Sequence, residues 1–164
     1  MKRLFVIVLA VFSLASCFKL SMDPYEGGDG VRANIDGRKC VMMGTVGSRS
    51  YASYSVYTDS CVFLTQVPLA NRILAEDATY RLSIKLKTGT AIVVDQDYSL
   101  TGNDAKVIFP GSHDNEPLSG WIRFSLLDSA AHLVEATFEL SSADHSVKHG
   151  FLRLPMEYVN NTGS

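Results

Sequence analysis

Arg81-Leu82-Ser83-Ile84-Lys85-Leu86-Lys87 alternates without a break, and this period of two constrains the fold more than any other stretch of the chain. Successive side chains of a strand point to opposite faces, so Leu82, Ile84 and Leu86 share one side and the charged residues the other. Val134, Ala136, Phe138 and Leu140 repeat the pattern against Glu135, Thr137 and Glu139. One dry face and one wet face mark an antiparallel sheet. Asp36-Gly37, between Val31–Ile35 and Lys39–Val46, supplies the positive backbone angle that two-residue hairpins favour. Tyr54–Leu64 is rich in β-branched and aromatic residues. Ile92-Val93-Val94 reads as a short buried strand, and Thr101-Gly102-Asn103-Asp104 as a turn before Lys106–Phe109. A polar loop, Pro110–Ser119, precedes three closing strands: Gly120–Leu126, Leu133–Leu140 and Val147–Leu154. Pro68–Asp77 differs, because Leu69, Ile73 and Leu74 have helical spacing, which predicts a helical turn or two. About eight or nine short strands spaced roughly 8 to 12 residues apart predict an all-β, antiparallel β-sandwich of two packed sheets, with a small β-barrel as the alternative.

The amino terminus sets the compartment. Lys2 and Arg3 precede an apolar run from Leu4 to Leu14 that is too short to span a bilayer as a mature helix, and small residues follow. These are the marks of a secretory signal. Leu14-Ala15-Ser16-Cys17 resembles the lipobox of bacterial lipoproteins, which implies acylation of the Cys17 sulfur and cleavage just before it. The expected organisation is a signal peptide at 1–16, a lipidated flexible tether at 17–30, a β domain at 31–159 and a disordered tail at 160–164. Pro24 and the Gly27-Gly28-Asp29-Gly30 cluster favour the tether. Two or three acyl chains hold a protein at a membrane where one does not. Acyl chains on Cys17 are thus the expected membrane attachment, in the cell envelope on the outer membrane, facing either the periplasm or the surface.

Removing the signal from the 164 residues leaves 148, enough for one domain and its core. Of 15 basic residues, 13 then remain against 17 acidic ones. Nucleic acid needs clustered Lys and Arg, and the basic runs here, such as Arg38-Lys39, are short, so no nucleic-acid partner is expected. Outside the cytoplasm disulfides persist. A hairpin centred near position 50 would set Cys40 opposite Cys61, which makes them a candidate disulfide. Two reduced, buried thiols are the other reading.

No GxSxG elbow, HExxH helix, phosphate loop or CxxC pair is present. The protein is therefore expected to be no enzyme, and neither cofactor nor metal is expected. His113, His132, His145 and His149 lack ligand spacing and read as surface or core residues. Asp95, Asp97 and Asp104 raise a carboxylate pair or a calcium loop, but their order departs from the calcium-loop pattern and they read as turn residues. Tyr51, Tyr54, Tyr57 and Trp121, with His113 in a nearby loop, are the candidate ligand-binding residues, because flat rings stack on sugars while loop polars hold hydroxyls. The same rings packed into the sheet are the alternative.

Two blocks carry a family resemblance. Ala33-Asn34-Ile35-Asp36-Gly37-Arg38-Lys39 resembles the opening of uncharacterised β-sandwich lipoproteins of Bacteroidetes. Gly120-Trp121-Ile122-Arg123-Phe124, Val134–Leu140 and His149-Gly150-Phe151-Leu152-Arg153-Leu154-Pro155 resemble their closing strands, with Ala136 in place of a glycine and Leu140 in place of a phenylalanine. The resemblance implies fold and localisation, without an activity. The expected function is noncatalytic binding of an envelope glycan or protein. A structural or assembly role by strand addition is the alternative, and a hydrolase with an unrecognised acidic pair is the third.

Overall fold

The computed structural model describes residues 29–42, 52–55, 61–70 and 79–159. Among these residues nine strands form one sheet: β1 (Gly30–Ile35), β2 (Arg38–Met42), β3 (Ala52–Ser55), β4 (Cys61–Ala70), β5 (Thr79–Lys87), β6 (Asp97–Ile108), β7 (Glu116–Asp128), β8 (Leu133–Ser141) and β9 (Ser146–Val159). No helix occurs among the described residues. Strands β4 to β9 pair in sequence order as an antiparallel meander. The space between β9 and β4 is bridged twice. At one end the β1–β2 hairpin lies with β1 on β9 and β2 on β4. At the other, β3 pairs antiparallel with β4 and parallel with β9.

The sheet therefore closes on itself. Of the two expected architectures, the all-β chain adopts the small barrel rather than two separate sheets. Long strands with irregular registers make closure possible, because a bulge adds local twist and bends the strand. Register shifts interrupt β4–β5 between Leu64 and Val67, β6–β7 between Leu100 and Ala105, and β7–β8 between Phe124 and Leu126. The interior is filled by the alternating apolar faces. Leu82, Ile84 and Leu86 point inward as the pattern predicts, and meet Leu100, Leu118, Ile122, Phe124, Phe138 and Leu152. Burying each such side chain contributes about 1.5–3 kcal/mol before conformational entropy is set against it.

Several sequence expectations are revised. Leu69 belongs to β4, with Val67 and Leu69 buried and Pro68 and Ala70 half-buried, so strand pairing to β5 overrides its helical spacing; residues 71–78 lie outside the described residues. Thr101–Asp104 is not a turn between strands but a bulge inside β6, where Gly102 takes a φ of 56° and the Thr101 N–H donates to Asp104 Oδ2 at 2.9 Å. Ile92-Val93-Val94 is loop: Ile92 is buried, while Val93 and Val94 are 56% and 43% exposed. Asp36-Gly37 forms the expected hairpin turn, with φ of 49° and 78°.

The register also separates the two cysteines. Val41 pairs with Ala70, so Cys61 lies nine residues down β4 from the level of β2. That is about 30 Å of strand, against the roughly 7 Å between Cα atoms that a disulfide tolerates. The Cys40–Cys61 bridge is excluded by this pairing. Cys40 is instead buried, its thiol 3.4 Å from the Arg38 carbonyl, and burial pushes its pKa up. Residues 1–28, with the expected signal peptide and Cys17, and residues 160–164, the expected tail, lie outside the described residues, while β1 begins at Gly30, one residue before the expected domain start.

Candidate functional site

Antiparallel pairing sorts the connections onto two rims. The β1–β2 turn, the β6–β7 loop and the β8–β9 turn share one, called here the hairpin rim. The opposite rim, the entry rim, carries the start of β1, the β5–β6 loop and the β7–β8 turn.

The hairpin rim is built around Phe109, where β6 ends. Its ring meets Tyr80 edge-on, with centroids 5.7 Å apart, and lies 3.9 Å from the His145 ring at a tilt of 33°. His145 sits between two carboxylates: Nδ1 is 2.8 Å from Asp36 Oδ2, and Nε2 is 3.6 Å from Glu116 Oε2. Asp36 also accepts the Ser146 N–H at 2.8 Å, and its own N–H donates to the Ser146 carbonyl at 2.9 Å. Ser142 donates its hydroxyl to Glu116. One imidazole thus ties three connections together. The hydrogen bond to Asp36 is the main cause holding the His145 pKa above its ordinary value, with the charges of Asp36, Glu116 and Asp144 adding to it and desolvation opposing it.

Beyond Phe109 the β6–β7 loop folds over the outer face of β5 and β6. The Ser112 N–H donates to the Phe109 carbonyl at 3.0 Å, the Asp114 N–H donates to Ser112 Oγ at 3.1 Å, and Gly111 turns the chain with a φ of 75°. Between loop and sheet lies an open cleft of about 380 Å³, lined by Thr79, Arg81, Ile108, Phe109, Gly111, Ser112 and His113. That volume falls at the lower end of small-molecule sites. Ile108 and Phe109 give it an apolar wall, and the remaining side chains offer hydrogen bonds. Neither the Arg81 nor the His113 side chain makes a hydrogen bond or ion pair with a described residue.

Among the described residues expected to bind ligand, only His113 lines this cleft. Trp121 is half-buried on the outer face of β7, with the Arg123 guanidinium 6.0 Å from its ring. Five residues of strand, about 17 Å, separate it from Glu116 at the loop's end. The structure therefore does not bring Trp121 and His113 together. Tyr54 lies on β3, where only the backbone is described, and Tyr51 and Tyr57 lie outside the described residues.

Of the acids weighed for calcium or catalysis, Asp97 and Asp104 have carboxylates with structural partners, and Asp95 is tied in through its backbone. Asp97 and Arg123 form a two-pronged pair at 2.7 and 2.9 Å, Asp104 holds Thr101 in the bulge, and the Asp95 N–H donates to the Phe124 carbonyl at 2.7 Å. Among the described residues, no group of three or more His, Cys, Asp or Glu side chains could hold a metal ion. Sequence reading missed Arg81, which looked like one more charge on a wet face, and the His145 cluster, whose Asp36 lies 109 residues away. The Asp36-Gly37 hairpin was the one local signal that could have pointed to it. No family model, no curated protein and no solved structure matches the chain.

Proposed function

We propose that this protein is a noncatalytic recognition module of the cell envelope, moored by acyl chains on Cys17 to the outer membrane, and that it binds an envelope glycan through the hairpin-rim cleft. The observation that carries the reading is the cleft itself: an apolar wall beside four hydrogen-bonding side chains, of which Thr79, Arg81 and His113 have no side-chain partner among the described residues. Polar groups that converge without structural partners are what a sugar-binding surface requires. Placement supports it too. β1 starts at the entry rim, so a tether from Cys17 enters at the end of the barrel away from the cleft.

The assembly reading by strand addition has less support. Strand addition needs an exposed edge, and among the described strands each has a neighbour on both sides, although the β5–β6 pairing joins only Arg81–Ile84 to Ala105–Ile108. The hydrolase reading gains little from the rim carboxylates, since Asp36 is engaged by His145 and Ser146, and Glu116 by Ser142 and His145.

A glycan array probed with the full chain, purified in detergent, tests the proposal. Retention of one glycan class, lost on His113→Ala but not on Trp121→Ala, is expected. A silent array together with a stoichiometric envelope-protein partner would replace recognition with assembly.

A further inference from the structure

Resting on that reading, we infer that the cleft takes a negatively charged sugar, with the Arg81 guanidinium binding its carboxylate and His113 beside it. Arg81 stands on the outer face of β5, opposite Ile108 in the β5–β6 register, and faces the loop that closes the cleft. Among the described residues it has no ion-pair partner, and no carboxylate lines the cleft with it. Two acids of the rim are engaged elsewhere: Asp36 by His145 and Ser146, Glu116 by Ser142 and His145. Among the described residues that line it, the cleft therefore holds a cation with no carboxylate beside it.

A guanidinium presents a planar fork that matches a carboxylate with two parallel N–H bonds. Ser112 spends an acceptor site on the Asp114 N–H, which leaves its O–H to donate. The Thr79 hydroxyl supplies a second donor, and Ile108 and Phe109 supply apolar surface for the C–H face of a sugar ring. A sulfate or phosphate ion shares the oxyanion chemistry but not the need for that wall.

Isothermal titration of the full chain in detergent with a galacturonate trimer, the neutral galactose trimer and inorganic sulfate separates these sources. The acidic trimer is expected to bind at least roughly 10-fold tighter than the neutral one, and Arg81→Gln to weaken it by roughly 10- to 100-fold. Arg81→Lys, which keeps the charge without the fork, should recover part of that loss. Arg123→Gln, on the outer face of β7, should leave binding unchanged, and circular dichroism verifies each variant's fold. Equal binding of the two trimers, or no effect of Arg81→Gln, overturns the charged-sugar assignment while recognition still stands on the array. Sulfate binding as tightly as the acidic trimer overturns the sugar as carrier. Binding of none of the three overturns the inference, and only a silent array overturns recognition as well.

Discussion

Gly150→Ala is a one-carbon test of how the barrel packs. Gly150 is buried on β9 opposite Phe138 on β8, and Phe138 is completely buried in the core. A Cβ built at Gly150 would come within 2.4 Å of two carbons of the Phe138 ring and 2.6 Å of its carbonyl oxygen. Carbon atoms pack at about 3.5–4.0 Å, so the ring would have to retreat by about 1 Å. It has no room to do so, and the carbonyl is tied to the sheet. Overpacking of this kind costs about 1–3 kcal/mol, whereas replacing glycine in an unstrained strand contributes about 0.5–1 kcal/mol in the other direction. The net loss expected is about 1 kcal/mol, or about 2–6 °C in melting temperature for a domain of this size. Urea denaturation followed by circular dichroism measures it. Adding Phe138→Leu should make the pair of substitutions less damaging than the sum of the two, because the clash partner is gone. A Gly150→Ala variant as stable as the parent, or strict additivity with Phe138→Leu, would refute the close β8–β9 approach.

Other outcomes test the rim, the strand register and the proposed lipid anchor. His145 has its pKa raised by Asp36, so its stabilising contribution is complete below the ordinary histidine value near 6.5 and fades as pH rises through the folded value. The urea-midpoint gap between the parent and His145→Gln should therefore be widest below the ordinary histidine value near about 6.5 and narrow as pH rises above it; a gap that widens with pH would contradict the sign. Cys17→Ala should leave the membrane fraction, and its persistence there after a carbonate wash would end the lipid reading. A non-reducing digest should yield no peptide linking Cys40 to Cys61, which the strand register holds about 30 Å apart.

What the sequence made legible was local. The alternation from Arg81 to Lys87 and the Asp36-Gly37 turn each need only neighbouring residues, and both appear as read. The choice of barrel over sandwich was hidden because it depends on bulges, and the Thr101–Asp104 bulge carries the same residues as an ordinary turn. Leu69 looked helical for a similar reason: an apolar residue three or four from the next satisfies both periods until a partner strand decides. The candidate site was less legible still. His113 was noticed as a loop polar near a tryptophan, yet its cleft partners are Arg81 and Thr79, which only the β5–β6 pairing brings near. The packing of Phe109 between Tyr80 and His145, which shapes the cleft wall, joins two strands and a turn that no motif connects.

Amide NMR of the ¹⁵N-labelled chain, titrated with the glycan that the array selects, bears most directly on recognition at the hairpin rim. The expected perturbations cluster at Thr79, Arg81 and residues 108–113, with Asp36 and His145 affected weakly through Phe109. Shifts confined to the outer face around Trp121, or to the entry-rim loop bearing Val93 and Val94, would contradict the account.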